Sequence, residues 1–175
     1  ITIGGARITE QNAVDAKNLN IENKSTTVSF TSNGLGVYYT NTSAYPATIN
    51  TLLTVNYYDE YPADKPANLP IVVLGQNILS SVLTDSKNTK TLPTASYAKN
   101  IENDNWTKSY VLYDEKSNPV YTHDINHLGG YTKTETKLDF SATPVNVNTY
   151  HKKLSTTTSD VIIKERFEYD HVKRL

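Results

Sequence analysis

The 175-residue chain contains no cysteine. Disulfides, thiolate zinc sites and thiol nucleophiles are therefore excluded. Glycine is scarce, at 7 residues. Gly4-Gly5 and Gly34-Leu35-Gly36 are too short for a phosphate-cradling loop, and no helix signal follows either. No charge prevails: 17 basic side chains stand against 18 acidic ones, for a net charge of −1. Such a balance offers phosphates no broad attractive field, so nucleic acid is not an expected partner. Long apolar runs are missing as well. The longest, Leu69 to Leu74, is interrupted by Pro70 and falls far short of the ~20 residues a membrane helix needs. Membrane insertion is not expected. No basic stretch followed by an apolar one marks a signal peptide. The chain opens at Ile1 rather than Met, which points to processing or to a piece of a longer protein.

Leu, Ile, Val and Phe together number 41 of 175. That is roughly 23 %, above the ~20 % below which highly charged chains stay disordered. The chain should fold, with tyrosine supplying an unusual share of the buried surface. Threonine (24) and tyrosine (13) are abundant, and asparagine numbers 18. The first two suit a half-buried pleated surface, and the third suits turns. The composition predicts an all-β protein of many short strands.

Local patterns agree. In the stretch Val161 to Asp170, Val161, Ile163, Phe167 and Tyr169 alternate with Lys164, Arg166, Glu168 and Asp170, a period of two broken by Ile162 and Glu165. From Tyr131 to Phe140, Lys133, Glu135, Lys137 and Asp139 share one face and Thr132, Thr134, Thr136, Leu138 and Phe140 the other. Tyr110 to Asp114 and Pro119 to His123 read as a hairpin around Glu115 to Asn118. Glu60 to Pro70 and Asp85 to Pro93 read as loops, Ile71 to Leu74 as a buried strand, and Thr9 to Leu19 as a short helix capped by Thr9.

Tyr58-Asp59, Tyr113-Asp114 and Tyr169-Asp170 lie 55 and 56 residues apart, and Leu138-Asp139-Phe140 falls between the last two. Each pair closes an apolar strand and opens a polar turn. In these units the chain resembles the YD-repeat, or Rhs-repeat, proteins. Their unit is aromatic-Tyr-Asp, two residues, Gly-Arg, then an aliphatic residue. Phe167 to Leu175 is similar to it, with Lys173 in the glycine place and Arg174 in the arginine place. Val111 to Val120 is similar, with Ser117-Asn118 replacing Gly-Arg. Leu138 to Ala142 resembles the variant Leu-Asp-Phe-x-Gly, with Ala142 for glycine. Thr54 to Asp59 and Thr149 to Lys153 also resemble segments of large Rhs proteins secreted by Bacteroidota-type bacteria. The likeness runs over about residues 52–175. It divides the chain into an N-terminal β-rich segment, 1–50, and hairpin units, 51–175.

The resemblance implies a coiled sheet that forms part of a hollow shell around a C-terminal payload such as a toxin. It implies a structural, non-enzymatic role, a secreted or cell-surface location, and as partners the rest of a longer polypeptide, neighbouring repeats and secretion machinery. No cofactor and no metal are implied. The missing turn glycines should each cost up to ~1 kcal/mol or force another turn type. A free-standing β-sandwich binding module or adhesin, with carbohydrate as a ligand, is the alternative.

Other chemistries have weaker support. His123-Asp124-Ile125-Asn126-His127 places two imidazoles four apart, a metal spacing on a helix. Its strand-end setting predicts solvated loop histidines instead, and His151 and His171 read as turn residues. Asp59-Glu60 and Asp114-Glu115 could supply paired carboxylates, but adjacent positions at turns favour capping. Tyr38, Tyr39, Tyr45, Tyr57, Tyr58 and Tyr61 could line a sugar-binding surface or form the core. In a pair such as Tyr57-Tyr58 only one ring can point inward.

Overall fold

A computed structural model describes residues 7–17, 19–156, 159–170, 172 and 174. Its centre is one antiparallel sheet in the order β11-β10-β9-β8-β7-β6-β3. The strands are β3 (Thr54–Tyr58), β6 (Pro93–Lys99), β7 (Trp106–Tyr113), β8 (Pro119–Ile125), β9 (Gly129–Leu138), β10 (Pro144–Leu154) and β11 (Val161–Arg166). From β6 onward each strand pairs with the next in sequence, an up-and-down meander. Two hairpins accompany it: β1 (Phe30–Ser32) with β2 (Leu35–Val37), and β4 (Val72–Val73) with β5 (Gln76–Asn77). Their two-residue turns, Asn33-Gly34 and Leu74-Gly75, hold both residues at positive φ, the turn whose twist matches paired strands. The all-β expectation stands.

The helix α1 spans Arg7–Asp15. Thr9 thus lies inside it and not at its cap. The helix buries no residue, in keeping with the irregular apolar spacing. Gln11 Nε2 donates to Asp15 Oδ1 one turn on (2.8 Å), and Asn20 Nδ2 donates to the Val14 carbonyl at its C-terminal end. Ile71 to Leu74 is not a buried strand. Ile71 is 84 % exposed, Val73 alone is fully buried, and Leu74 turns into left-handed backbone.

The core lies on one face of β3, β6, β7 and β8. Strand alternation turns Val55, Tyr57, Ala95, Tyr97, Tyr110, Leu112 and Tyr121 to that face. Leu35, Val37 and Tyr38 of the first hairpin pack over it, together with Trp106. Val73 covers a second group made by Leu112, Val120 and Tyr121. Residues below 50 and above 51 therefore share one core. Fully burying a ring such as Tyr57, Tyr97 or Tyr110 contributes about 1.5–3 kcal/mol. Each hydroxyl is satisfied: Tyr57 accepts from the Tyr38 backbone N–H (3.2 Å), and Tyr97 donates to Asp64 Oδ1 (2.6 Å) and shares a bond with Tyr110 (2.9 Å).

Burial fades across the sheet. The alternation in 161–170 suggests one covered face, yet β11 is exposed along its whole length, with Val161, Ile162 and Ile163 half exposed or more. A period of two records which residues share a face and not whether anything lies against it.

Candidate functional site

Of the residues singled out by the Tyr-Asp pattern, those at Asp114, Asp139 and Asp170 form equivalent turns at one end of the sheet. In the first, the Asp114 N–H donates to the Asn118 carbonyl and the Ser117 N–H donates to the Asp114 carbonyl. Asp114 Oδ1 accepts the N–H groups of Lys116 (2.8 Å) and Asn118 (2.9 Å). The second repeats this: Asp139 Oδ1 accepts from Ser141 (2.8 Å) and Thr143 (2.9 Å), and the Asp139 N–H donates to the Thr143 carbonyl. In the third, Asp170 Oδ1 accepts from Val172 and Arg174 (both 2.9 Å), and the Asp170 N–H donates to the Arg174 carbonyl. Arg174 Nε also donates to Asp170 Oδ2 at 2.8 Å. These bonds hold the Asp170 carboxyl below its usual range. A short acceptor two and four residues behind the N–H groups it binds is the reason aspartate serves here.

The rings that precede two of these aspartates are clamped alike. Tyr113 Oη donates to the carbonyl of Pro93, the first residue of β6 (2.7 Å). Tyr169 Oη donates to the carbonyl of Pro144, the first residue of β10 (2.9 Å). Leu138 has no hydroxyl and packs instead against the second core group. Phe140 projects outward, 88 % exposed.

Tyr58-Asp59 does not form such a turn. Asp59 has φ 68°, its N–H donates to the Leu92 carbonyl, and its Oδ1 accepts from Thr91. It fastens the two ends of the long excursion between β3 and β6, so its 55-residue spacing from Asp114 has no structural counterpart. A fourth turn escapes the Tyr-Asp pattern because its first residue is asparagine. Asn126 Oδ1 accepts from Leu128 and Gly130 at the opposite end of the sheet, with Gly129 at φ 78°. The same backbone form is kept where glycine is missing: Ser117 has φ 66° and Ala142 φ 62°. No other turn type is adopted at either position. Lys173 and His171 lie outside the described residues.

His123 is no loop residue. It sits within β8, 8 % exposed, edge-on to Tyr121 and Tyr131 and tilted against Tyr110. Burial, with Lys133 beside it, lowers its pKa to about 4. His127 lies beyond the strand, and His151 is an exposed residue of β10 and not of a turn. The paired carboxylates are bound elsewhere: Glu60 to Lys24, and Glu115 to Lys87 and Asn77.

Of the tyrosines, Tyr57 points inward and Tyr58 outward. Tyr39 stacks on Tyr57 at 5.0 Å between ring centres, and Tyr61 donates to the Val111 carbonyl (2.8 Å). Burial pushes Tyr57 up to about 12 and raises Tyr97 and Tyr110 still further. These rings serve the core. Among the described residues no group of three or more His, Asp or Glu is arranged to hold a metal ion, and no helix is long and apolar enough to cross a membrane. No family model matches the chain, and no curated protein or solved structure matches it.

Proposed function

We propose that this chain is a structural segment of a secreted Rhs-type shell, whose sheet encloses or displays a C-terminal payload such as a toxin. The supporting observation is the aspartate turn, which recurs at Asp114, Asp139 and Asp170 along one end of a continuous meander. A unit that reuses the same turn, with the Tyr-to-Pro clamp at two of the three, can be added strand by strand, so that stability becomes a sum over neighbours. The last strand, β11, carries apolar side chains on both faces and has one edge with no partner strand among the described residues. Such a strand has a ready template for a further one. The sandwich alternative has less support, because the large sheet faces two short hairpins and not a second sheet of similar size.

Sedimentation of purified residues 1–175 over a range of concentration tests the reading. Self-association through β11 is expected, and Ile162→Lys with Ile163→Lys should weaken it. A monomer at every concentration, with one sharp unfolding transition, would count decisively against a shell segment.

A further inference from the structure

The face that carries the core on β3 to β8 continues onto β9, β10 and β11, where its side chains change character. Register sets Tyr121, Glu135, Asn148 and Lys164 in one row across four strands. His123, Lys133, Tyr150 and Ile162 form the next, and Lys137, Asn146 and Arg166 a third. Rows on one face are about 7 Å apart along a strand, and neighbouring strands about 4.8 Å apart. Three lysines of this face, Lys133, Lys137 and Lys164, have no carboxylate within ion-pair distance among the described residues, whereas Lys152 and Arg166 are paired with Asp160 and Glu168.

An open cleft of about 260 Å³ lies among these side chains, lined by Asn68, Pro70, Tyr121, Lys133, Glu135, Tyr150 and Asp160. It is smaller than the ~300–1,000 Å³ of sites for drug-sized ligands, which limits it to one small ring. Its chemistry is mixed. Tyr150 offers an apolar ring face, whereas Tyr121 is buried, and Lys133, whose Nζ lies 4.3 Å over the Tyr131 ring, offers a cation. Glu135 takes Asn148 and Tyr150 on Oε2, which leaves the acceptor sites of Oε1. Asp160 accepts from Tyr131 at 2.8 Å.

We infer that this face binds an acidic polysaccharide, a polyuronate, with one ring in the cleft and its neighbours along Lys137 and Lys164. Ring hydroxyls donate to Glu135 and Asp160, a uronate carboxylate meets Lys133, and the sugar's apolar side lies on Tyr150. An acidic polypeptide satisfies the lysines equally but brings neither ring hydroxyls for the two carboxylates nor a sugar face for Tyr150. The inference does not rest on the shell reading: a monomeric 1–175 that binds the glycan keeps this site and overturns the shell.

Calorimetric titration of the protein with polygalacturonate, at low and high salt, tests it, with dextran and poly-glutamate as controls. Salt-sensitive binding of polygalacturonate is expected, with little binding of either control. Lys137→Glu with Lys164→Glu, both exposed on the sheet, should weaken binding about tenfold or more. Tyr150→Ala should weaken it about fivefold, and Tyr150→Phe, which keeps the ring, should retain it. Absence of binding at low salt, poly-glutamate binding as tightly as polygalacturonate, or folded variants that bind like the parent protein would each overturn the site.

Discussion

Ser117 and Ala142 hold left-handed backbone at the turn position that Gly129 occupies with no Cβ. That conformation costs an L residue about 1–2 kcal/mol, and glycine offsets part of this through its greater unfolded-state freedom. Ser117→Gly and Ala142→Gly should each raise stability by about 0.5–1 kcal/mol in urea titration. The reverse change, Gly129→Ala, should lower it by about 1 kcal/mol or more, since the added Cβ also meets Ser155 Cβ at 3.2 Å. Equal stability in all three variants would mean that the turns tolerate either hand. The Tyr-to-Pro clamps differ in setting. Tyr113 is buried and Tyr169 is not. Tyr113→Phe leaves the Pro93 carbonyl without its partner and should cost about 1–2 kcal/mol, against a few tenths for Tyr169→Phe.

At the scale of elements, the β7–β8 hairpin was legible because its polar turn and flanking Tyr, Val and Leu are local signals. The same holds for the turns at Asp114, Asp139 and Asp170, whose carboxylates bind N–H groups within four residues. What depends on distant chain was not legible. Asp59 looks like its counterparts, but its partners are Thr91 and Leu92, 32 and 33 residues on. His123 reads as a loop residue until Tyr110, Tyr121 and Tyr131 of three strands close around it. Gln76 gives no sequence signal, yet its amide accepts from the Leu138 N–H (3.0 Å) and donates to the Thr136 carbonyl (2.8 Å), extending the pairing of β9 past the end of β8. The cover over the sheet sets its dynamics. Amides of β7, flanked by β6 and β8 under the tyrosine core, should exchange on the order of 100-fold more slowly than those of β11. Uniform protection across the seven strands would mean that β11 is covered in solution.

For the whole molecule, acid should act in two separate windows. His123 is neutral in the folded protein, with a pKa lowered from 6.5 to about 4 by burial and by Lys133. Between these values the unfolded chain takes up a proton that the folded one refuses, so stability falls as pH drops from 6.5 to about 4. A tenfold difference in proton affinity between the two states is worth about 1.4 kcal/mol, which sets the loss at about 2–3 kcal/mol once the ring's remaining solvent contact is allowed for. Glu22 acts lower. Its carboxylate accepts the backbone N–H of Ala44 (2.6 Å), the Thr40 hydroxyl (2.5 Å) and the Ser43 N–H (2.8 Å), and these bonds lower its pKa from 4.5 to about 2. The stability it confers is present above 4.5 and is lost as pH falls through about 2. Those bonds tie the 40–44 loop to residue 22, and share no partner with His123, which packs among Tyr110, Tyr121 and Tyr131. The two windows should therefore separate by variant. His123→Gln should flatten urea-determined stability between pH 6.5 and 4 and leave the limb below 4.5 intact, while Glu22→Gln should do the reverse. If His123→Gln leaves the upper limb unchanged, the imidazole is solvated and the tyrosine row around it is open in solution.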